Sequence, residues 1–258
     1  MNLGFGFLVY LKASSLKRLS LTFSILAWSG AGWALSVFFI YFFKDQPSML
    51  LWGRMSFTTS GIIPAAFLLF SLFFPQEQRN ISFIELVLLF SPTILFFGLS
   101  FTDQIVFSIG SGPKMFNYGP FYLPFSIYLT GYILMGLVFL IKTYRKAIGI
   151  ERLQVKYCLL GMFFTSIPGV VNNLFLPMAG ISRFNWLGPP FTMIMLGFTA
   201  YSIVKHRLMD INIVLKKGTT YVLLMVLLFV PSSLLVILGQ KLFYKEINYL
   251  FLAFIFSI

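Results

Sequence analysis

Seven stretches of the chain carry no charged side chain: 19–43, 55–74, 86–102, 115–141, 157–182, 184–204 and 218–240. Each holds roughly 17–27 residues, which at about 1.5 Å of rise per residue matches the ~30 Å of hydrocarbon in a bilayer. The pattern predicts an all-α membrane protein, a polytopic helical bundle with seven complete transmembrane helices. Two shorter apolar runs, 1–10 and 247–258, predict partial helices at both ends. A helix that stops inside lipid strands its last carbonyls, so the first helix and the last are both expected to be cut short. Residues 1–10 do not read as a signal peptide, because Lys12, Lys17 and Arg18 follow the apolar run instead of preceding it.

Particular residues punctuate this pattern. Ser29-Gly30-Ala31-Gly32 lets neighbouring backbones approach closely. Pro64 frees a carbonyl that Ser60 or another helix can satisfy. Arg54 falls about one turn inside the outer surface; it either snorkels to the headgroups or faces the bundle and pairs with an anion. Residues 102–120 form the longest external loop. Asp103 to Ile109 partly alternates, Gly110-Ser111-Gly112-Pro113 is a turn cluster, and 114–118 can return. Either a short β-hairpin lid or a disordered loop is expected there. Asn172-Asn173 sets two adjacent amides near the outer end of an apolar helix, where each is costly without a hydrogen bond. They read as an interhelical clamp or as the lining of an extracellular pocket.

Composition sharpens the environment. The 258 residues are 59% hydrophobic and only 10% charged, against about 25% charged in a soluble domain. One water-soluble core cannot hide that much apolar surface. The net charge of +12 invites a nucleic-acid reading, but the charges are sorted by loop. Thirteen of the 19 Lys and Arg fall on alternate loops: Lys12 to Arg18, Arg79, Lys142 to Lys156, and Lys205 to Lys217. That side is cytoplasmic by the positive-inside rule. The basic excess is a topology signal with membrane lipids as its contact, and no nucleic-acid partner is expected. Cys158 lies inside a span and reads as a small buried apolar residue.

Catalytic patterns are missing. The sequence has no Gly-rich phosphate loop, no zinc-ligand spacing and no Ser with a partnering His and Asp. The seven acidic residues are scattered, and no Asp, Glu or His sits deep in a span as a proton relay requires. His206, the one histidine, is followed by Arg207, Leu208 and Met209 and lies close to the membrane on either side. It does not read as a phosphoacceptor.

Several segments in order carry a family resemblance. They are Leu51-Trp52 to Pro64-Ala65 with its closing Phe74-Pro75, Tyr118-Gly119-Pro120, Glu151 to Tyr157 with Leu160-Gly161, Asn173 to Pro177, Leu187-Gly188-Pro189, and Ala200 to Ile211. The chain resembles the N-terminal seven-transmembrane sensor region of bacterial membrane histidine kinases over roughly residues 3–217. It departs from the family in two ways. The first helix is expected to be mostly missing, and the family's soluble output part is expected to lie outside these 258 residues. The organisation expected is a sensor region at 1–204, a cytoplasmic amphipathic connector at 205–217 and an additional, truncated transmembrane hairpin at 218–258.

The resemblance implies a multi-pass protein of the bacterial cytoplasmic membrane that feeds a two-component phosphorelay. A small or hydrophobic extracellular or membrane-borne ligand would bind the outer half of the bundle, with Trp52, Arg54, Asn172, Asn173 and Arg183 as candidate wall residues. Lys205, His206, Arg207 and Asp210 of the connector would relay the helix rearrangement inward. No cofactor or metal is expected in this segment; ATP and Mg belong to the missing kinase domain. The implied partners are a second copy and a response regulator reached through the output domain. The rival readings are a transporter or permease component, which the lack of buried ionisable groups disfavours, and a non-catalytic membrane scaffold.

Overall fold

The computed structural model describes residues 17–199, apart from 77, 78, 112, 113, 189, 193, 196 and 197. The partial end helices, the connector 205–217 and the span 218–240 lie outside the described residues. Five helices within them are long and apolar enough to cross a membrane. They are α1 (Lys17–Phe42), α2 (Gln46–Phe73), α3 (Phe83–Ser100), α4 (Tyr122–Lys146) and α5 (Gly149–Val170). A π-helical turn (Val171–Phe175) carries α5 on to Met178. A 3-10 turn (Asn185–Leu187) then leads into residues 188–199, which are helical where described.

Three expected boundaries move, each for a local reason. α2 begins at Gln46 and not at 55, because Asp45 caps it. Its carboxylate accepts the Ser48 N–H at 2.9 Å, and Pro47 suits the first turn. Water-accessible capping lets a helix run past the hydrocarbon, so the charge at Arg54 does not mark its start. α4 begins at Tyr122 and not at 115, because Phe116–Tyr118 is a strand. α5 begins at Gly149 and not at 157, and takes the charged Glu151, Arg152 and Lys156 into its first turns.

α2 is the central helix. Of its most apolar window 72% is buried, against 17% for α3, whose Ile84, Leu88 and Ile94 face outward. Close approach rests on small residues. A Cβ at Gly32 of α1 would lie 3.1 Å from Thr59 of α2, and one at Gly136 of α4 would lie 2.7 Å from the Phe67 ring. Phe67 therefore fits a gap that only glycine leaves. α3 starts with a capping box, Ser82 and Glu85 each bonding the other's backbone N–H. Pro92 removes the N–H that would serve the Leu88 carbonyl, and the Ser91 hydroxyl donates to that carbonyl at 2.9 Å instead.

The core divides into two. At the inner end Leu19, Phe23, Phe70, Leu140, Val155 and Cys158 pack together. At the outer end Ile40, Phe57, Phe96, Ile105, Phe116, Phe125 and Tyr128 do. Polar contacts close the inner end: Arg18 donates to Asn80 at 3.3 Å, the Gln76 amide donates to Glu151, and the Arg152 guanidinium lies 4.9 Å over the Tyr144 ring.

Candidate functional site

The outer end is built around a hairpin. β1 (Val106–Ile109) and β2 (Phe116–Tyr118) pair antiparallel, with Ser108 opposite Asn117 and Ile109 opposite Phe116. Of the two outcomes expected for this loop, the ordered hairpin is the one found. Gly119 is required at its exit, since a Cβ there would lie 2.3 Å from the Asp103 carbonyl oxygen. Gly110 is required at the turn, where a Cβ would lie 2.6 Å from the Lys114 carbonyl oxygen. Burial pushes the Tyr118 phenol up to about 12, so it stays neutral at ordinary pH.

Arg54 ties this hairpin to α2. It forms an ion pair with Asp103 and donates to the carbonyls of Phe101 at 3.2 Å and Val106 at 3.3 Å. The guanidinium thus satisfies carbonyls at the start of the hairpin, where the α3 ladder has already ended. Next to it the Phe116 ring sits where a Cβ on Gly53 would be, 2.6 Å away. Hairpin and helix are seated by one charge and one glycine.

Three tyrosines of α4 then join the helices across the apolar outer half. Tyr122 donates to the Leu174 carbonyl at 3.0 Å, Tyr128 to Gly61 at 2.9 Å and Tyr132 to Leu89 at 3.1 Å. Thr93 of α3 bonds the Tyr128 oxygen at 2.7 Å. In a medium without water, each bond has few competitors.

Beneath the hairpin lies a cavity of about 140 Å³, set between α1, α2, α4 and α5. Met115, Phe116 and Tyr118 of the hairpin close its outer side; Leu26, Phe67 and Met162 form its floor at the inner core. Trp33, Ser56, Ser60, Thr165, Ser166, Asn173, Asn185 and Thr192 supply polar groups along the wall, and none of the described residues lining it is charged. The π-helical turn at Val171–Phe175 adds a residue to the helix beside the cavity, a distortion common at functional sites.

The candidate residues separate on this geometry. Asn173 lines the cavity and donates its amide to the Gly169 carbonyl at 3.1 Å. Its amide also lies 2.3 Å from where a Cβ on Gly188 would be, so helix 188–199 packs directly on it. Asn172, Trp52, Arg54 and Arg183 are not in the wall. Trp52 stacks on Phe39 with centroids 4.3 Å apart, and Arg183 lies 4.6 Å over the Phe184 ring. Lys205, His206, Arg207 and Asp210 lie outside the described residues. Among the described residues, no group of three or more His, Cys, Asp or Glu side chains comes together to hold a metal ion.

Most of the wall was not anticipated. Its signal is nonetheless periodic: Ser56 and Ser60 on α2, and Thr165, Gly169 and Asn173 on α5, recur at four-residue spacing and so share a face.

The family described as the N-terminal 7TM region of histidine kinase matches residues 1–212. No curated protein and no solved structure matches the chain.

Proposed function

The chain belongs to the family of N-terminal seven-transmembrane regions of histidine kinases, and from that premise we propose that its outer-half cavity is the ligand site of a two-component sensor. The family makes this a multi-pass membrane protein with a sensor input role in a histidine kinase. The finer reading is that a small, largely apolar extracellular or membrane-borne molecule enters beneath the hairpin and favours one of two helix arrangements. A ligand shifts such an equilibrium only by its differential affinity for the two states. What supports this reading is that α1, α2, α4 and α5 all contribute to the cavity wall. A change in their spacing alters every ligand contact at once.

The observation that carries the reading is the cavity itself, which lies between an anchored hairpin and a filled inner core. The rest of the proposed device is a bacterial cytoplasmic membrane, seven complete spans, a connector at 205–217 as relay, a homodimer and a response regulator beyond the output domain. Full-length protein in its native host tests it. Ser60→Phe and Ser166→Phe, which fill the cavity, should abolish the change in regulator phosphorylation on stimulation, at equal expression. Leu88→Phe on the outward face of α3 should leave it unchanged. A full response in both cavity variants would sink the reading.

A further inference from the structure

The cavity wall is unusual in what its polar atoms have left to offer. Ser56 commits its hydroxyl hydrogen to the Gly53 carbonyl at 2.7 Å, Ser60 to Phe57 at 3.3 Å, and Thr165 to Phe191 at 2.8 Å. Asn173 likewise commits its amide to Gly169. What remains at Ser56, Ser60 and Thr165 is oxygen lone pairs, while Asn173 keeps one N–H beside its carbonyl oxygen. Asn185 extends the trend: its side-chain oxygen is buried without a hydrogen-bond partner. A buried acceptor left unsatisfied is costly, and a donor brought within reach relieves it. Among the described residues the wall carries no Lys, Arg or His to receive an anion and no Asp or Glu to receive a cation.

We infer that the cavity selects a neutral, mainly apolar molecule bearing a hydrogen-bond donor, with a medium-chain alcohol as the simplest member of the class. The size agrees. A void of about 150 Å³ accepts a benzene-sized guest, so a cavity of about 140 Å³ suits a compact molecule of that order or a short chain. A carboxylate would have to leave water with no cation of the described wall to pair it; an alkane leaves the Asn185 oxygen unsatisfied; an alcohol fills the apolar space and donates to that oxygen. This inference rests on the proposed ligand site and specifies its chemistry.

Photolabelling tests it, with full-length protein in nanodiscs and an octanol carrying a diazirine in its chain. Adducts are located by peptide mass spectrometry. Adducts are expected on Trp33, Phe57 and Met162. Unlabelled octanol should suppress them about fivefold better than octane or octanoate at equal mole fraction in the membrane, the ratio one net hydrogen bond supports. Asn185→Leu should erase that preference while labelling persists, and Ser60→Phe should remove the cavity adducts. Labelling of the cavity that octane suppresses as well as octanol does would overturn the ligand class and leave the sensor site standing. Adducts confined to outward residues such as Leu88 and Phe97 would overturn both.

Discussion

The inner half of the bundle leaves Leu19, Leu140, Val155 and Cys158 with no exposed surface. The outer half leaves a void of about 140 Å³, and tyrosine hydroxyls outside its lining join the helices there. Both halves sit on the same helices, so the difference lies in side-chain chemistry. Aliphatic and phenylalanine side chains interdigitate and close. Ser56, Ser60 and Asn173 return to their own helix backbones instead, and leave the space between the helices unfilled. In lipid there is no hydrophobic drive to collapse such a gap, since the tails are as apolar as leucine; helix association rests on packing and interhelical hydrogen bonds. On the proposed ligand site, this division lets a filled inner half hold the helices together while the hollow outer half takes the ligand.

Adding volume is the most direct way to break the comparison. Leu140→Phe overfills a site with no free space and should cost about 3 kcal/mol, the upper end for overpacking. Ser60→Phe makes a larger change beside the cavity and should cost under about 1 kcal/mol, because the ring enters existing space. Unfolding by SDS titration in mixed micelles measures both. Equal losses would mean that the outer void closes in the membrane and that the two halves are packed alike.

Two glycines of α4 sharpen the contrast at the scale of one methyl group. Gly136→Ala drives a Cβ to 2.7 Å from Phe67 and should cost about 2 kcal/mol. Gly131→Ala meets nothing within 4 Å and should gain about 0.5–1 kcal/mol from helix propensity. The same titration reads the sign. A loss at Gly131 would show that its surroundings are occupied.

Hydropathy made the helices legible, since lipid requires a long uncharged run at each crossing. It misplaced their ends, because capping by Asp45 and the strand at Phe116–Tyr118 are local matters that hydropathy does not register. The hairpin was half legible through Gly110-Ser111-Gly112-Pro113. Of the candidate wall, only Asn173 reaches the cavity. Arg54 and Trp52 stood out by being charged or large, yet one serves the hairpin carbonyls and the other stacks on Phe39. Ser56, Ser60 and Thr165 were overlooked because small hydroxyls in membrane helices usually only bond their own backbone. Ser56 and Ser60 do so here as well, whereas Thr165 bonds the Phe191 carbonyl of another helix, and what makes them a wall is the space they leave between them.

The hydroxyl bridges of the outer half carry the next largest effect. Tyr128→Phe removes the donor to Gly61 and the partner of Thr93. Interhelical hydrogen bonds in membranes average about 0.6 kcal/mol and reach about 1.7, so a loss near 1 kcal/mol is expected for this two-bond site. Thr93→Val should cost less, and the double variant should cost less than the sum, since both changes break one chain. Strict additivity would show that the two bonds act separately.

The smallest effect concerns what holds the hairpin over the cavity. The Asp103 side chain is 64% exposed and that of Arg54 19%, so water screens the ion pair, and its coupling energy should be about 0.5 kcal/mol. Arg54 has a second duty that Asp103 does not share: it donates to the Phe101 and Val106 carbonyls. Arg54→Met should therefore loosen the hairpin more than Asp103→Asn does. Amide hydrogen exchange at Gly110 and Gly119, whose N–H groups bond Met115 and Ile105 at 2.9 and 3.0 Å, reports this opening directly. Exchange should quicken strongly with Arg54→Met and slightly with Asp103→Asn, while raised salt mimics only the slight change. If salt alone reproduced the Arg54→Met result, the hairpin would be held by charge and not by its carbonyls. The outer half would then open with ionic strength, a behaviour the inner half, closed by aliphatic packing, does not share.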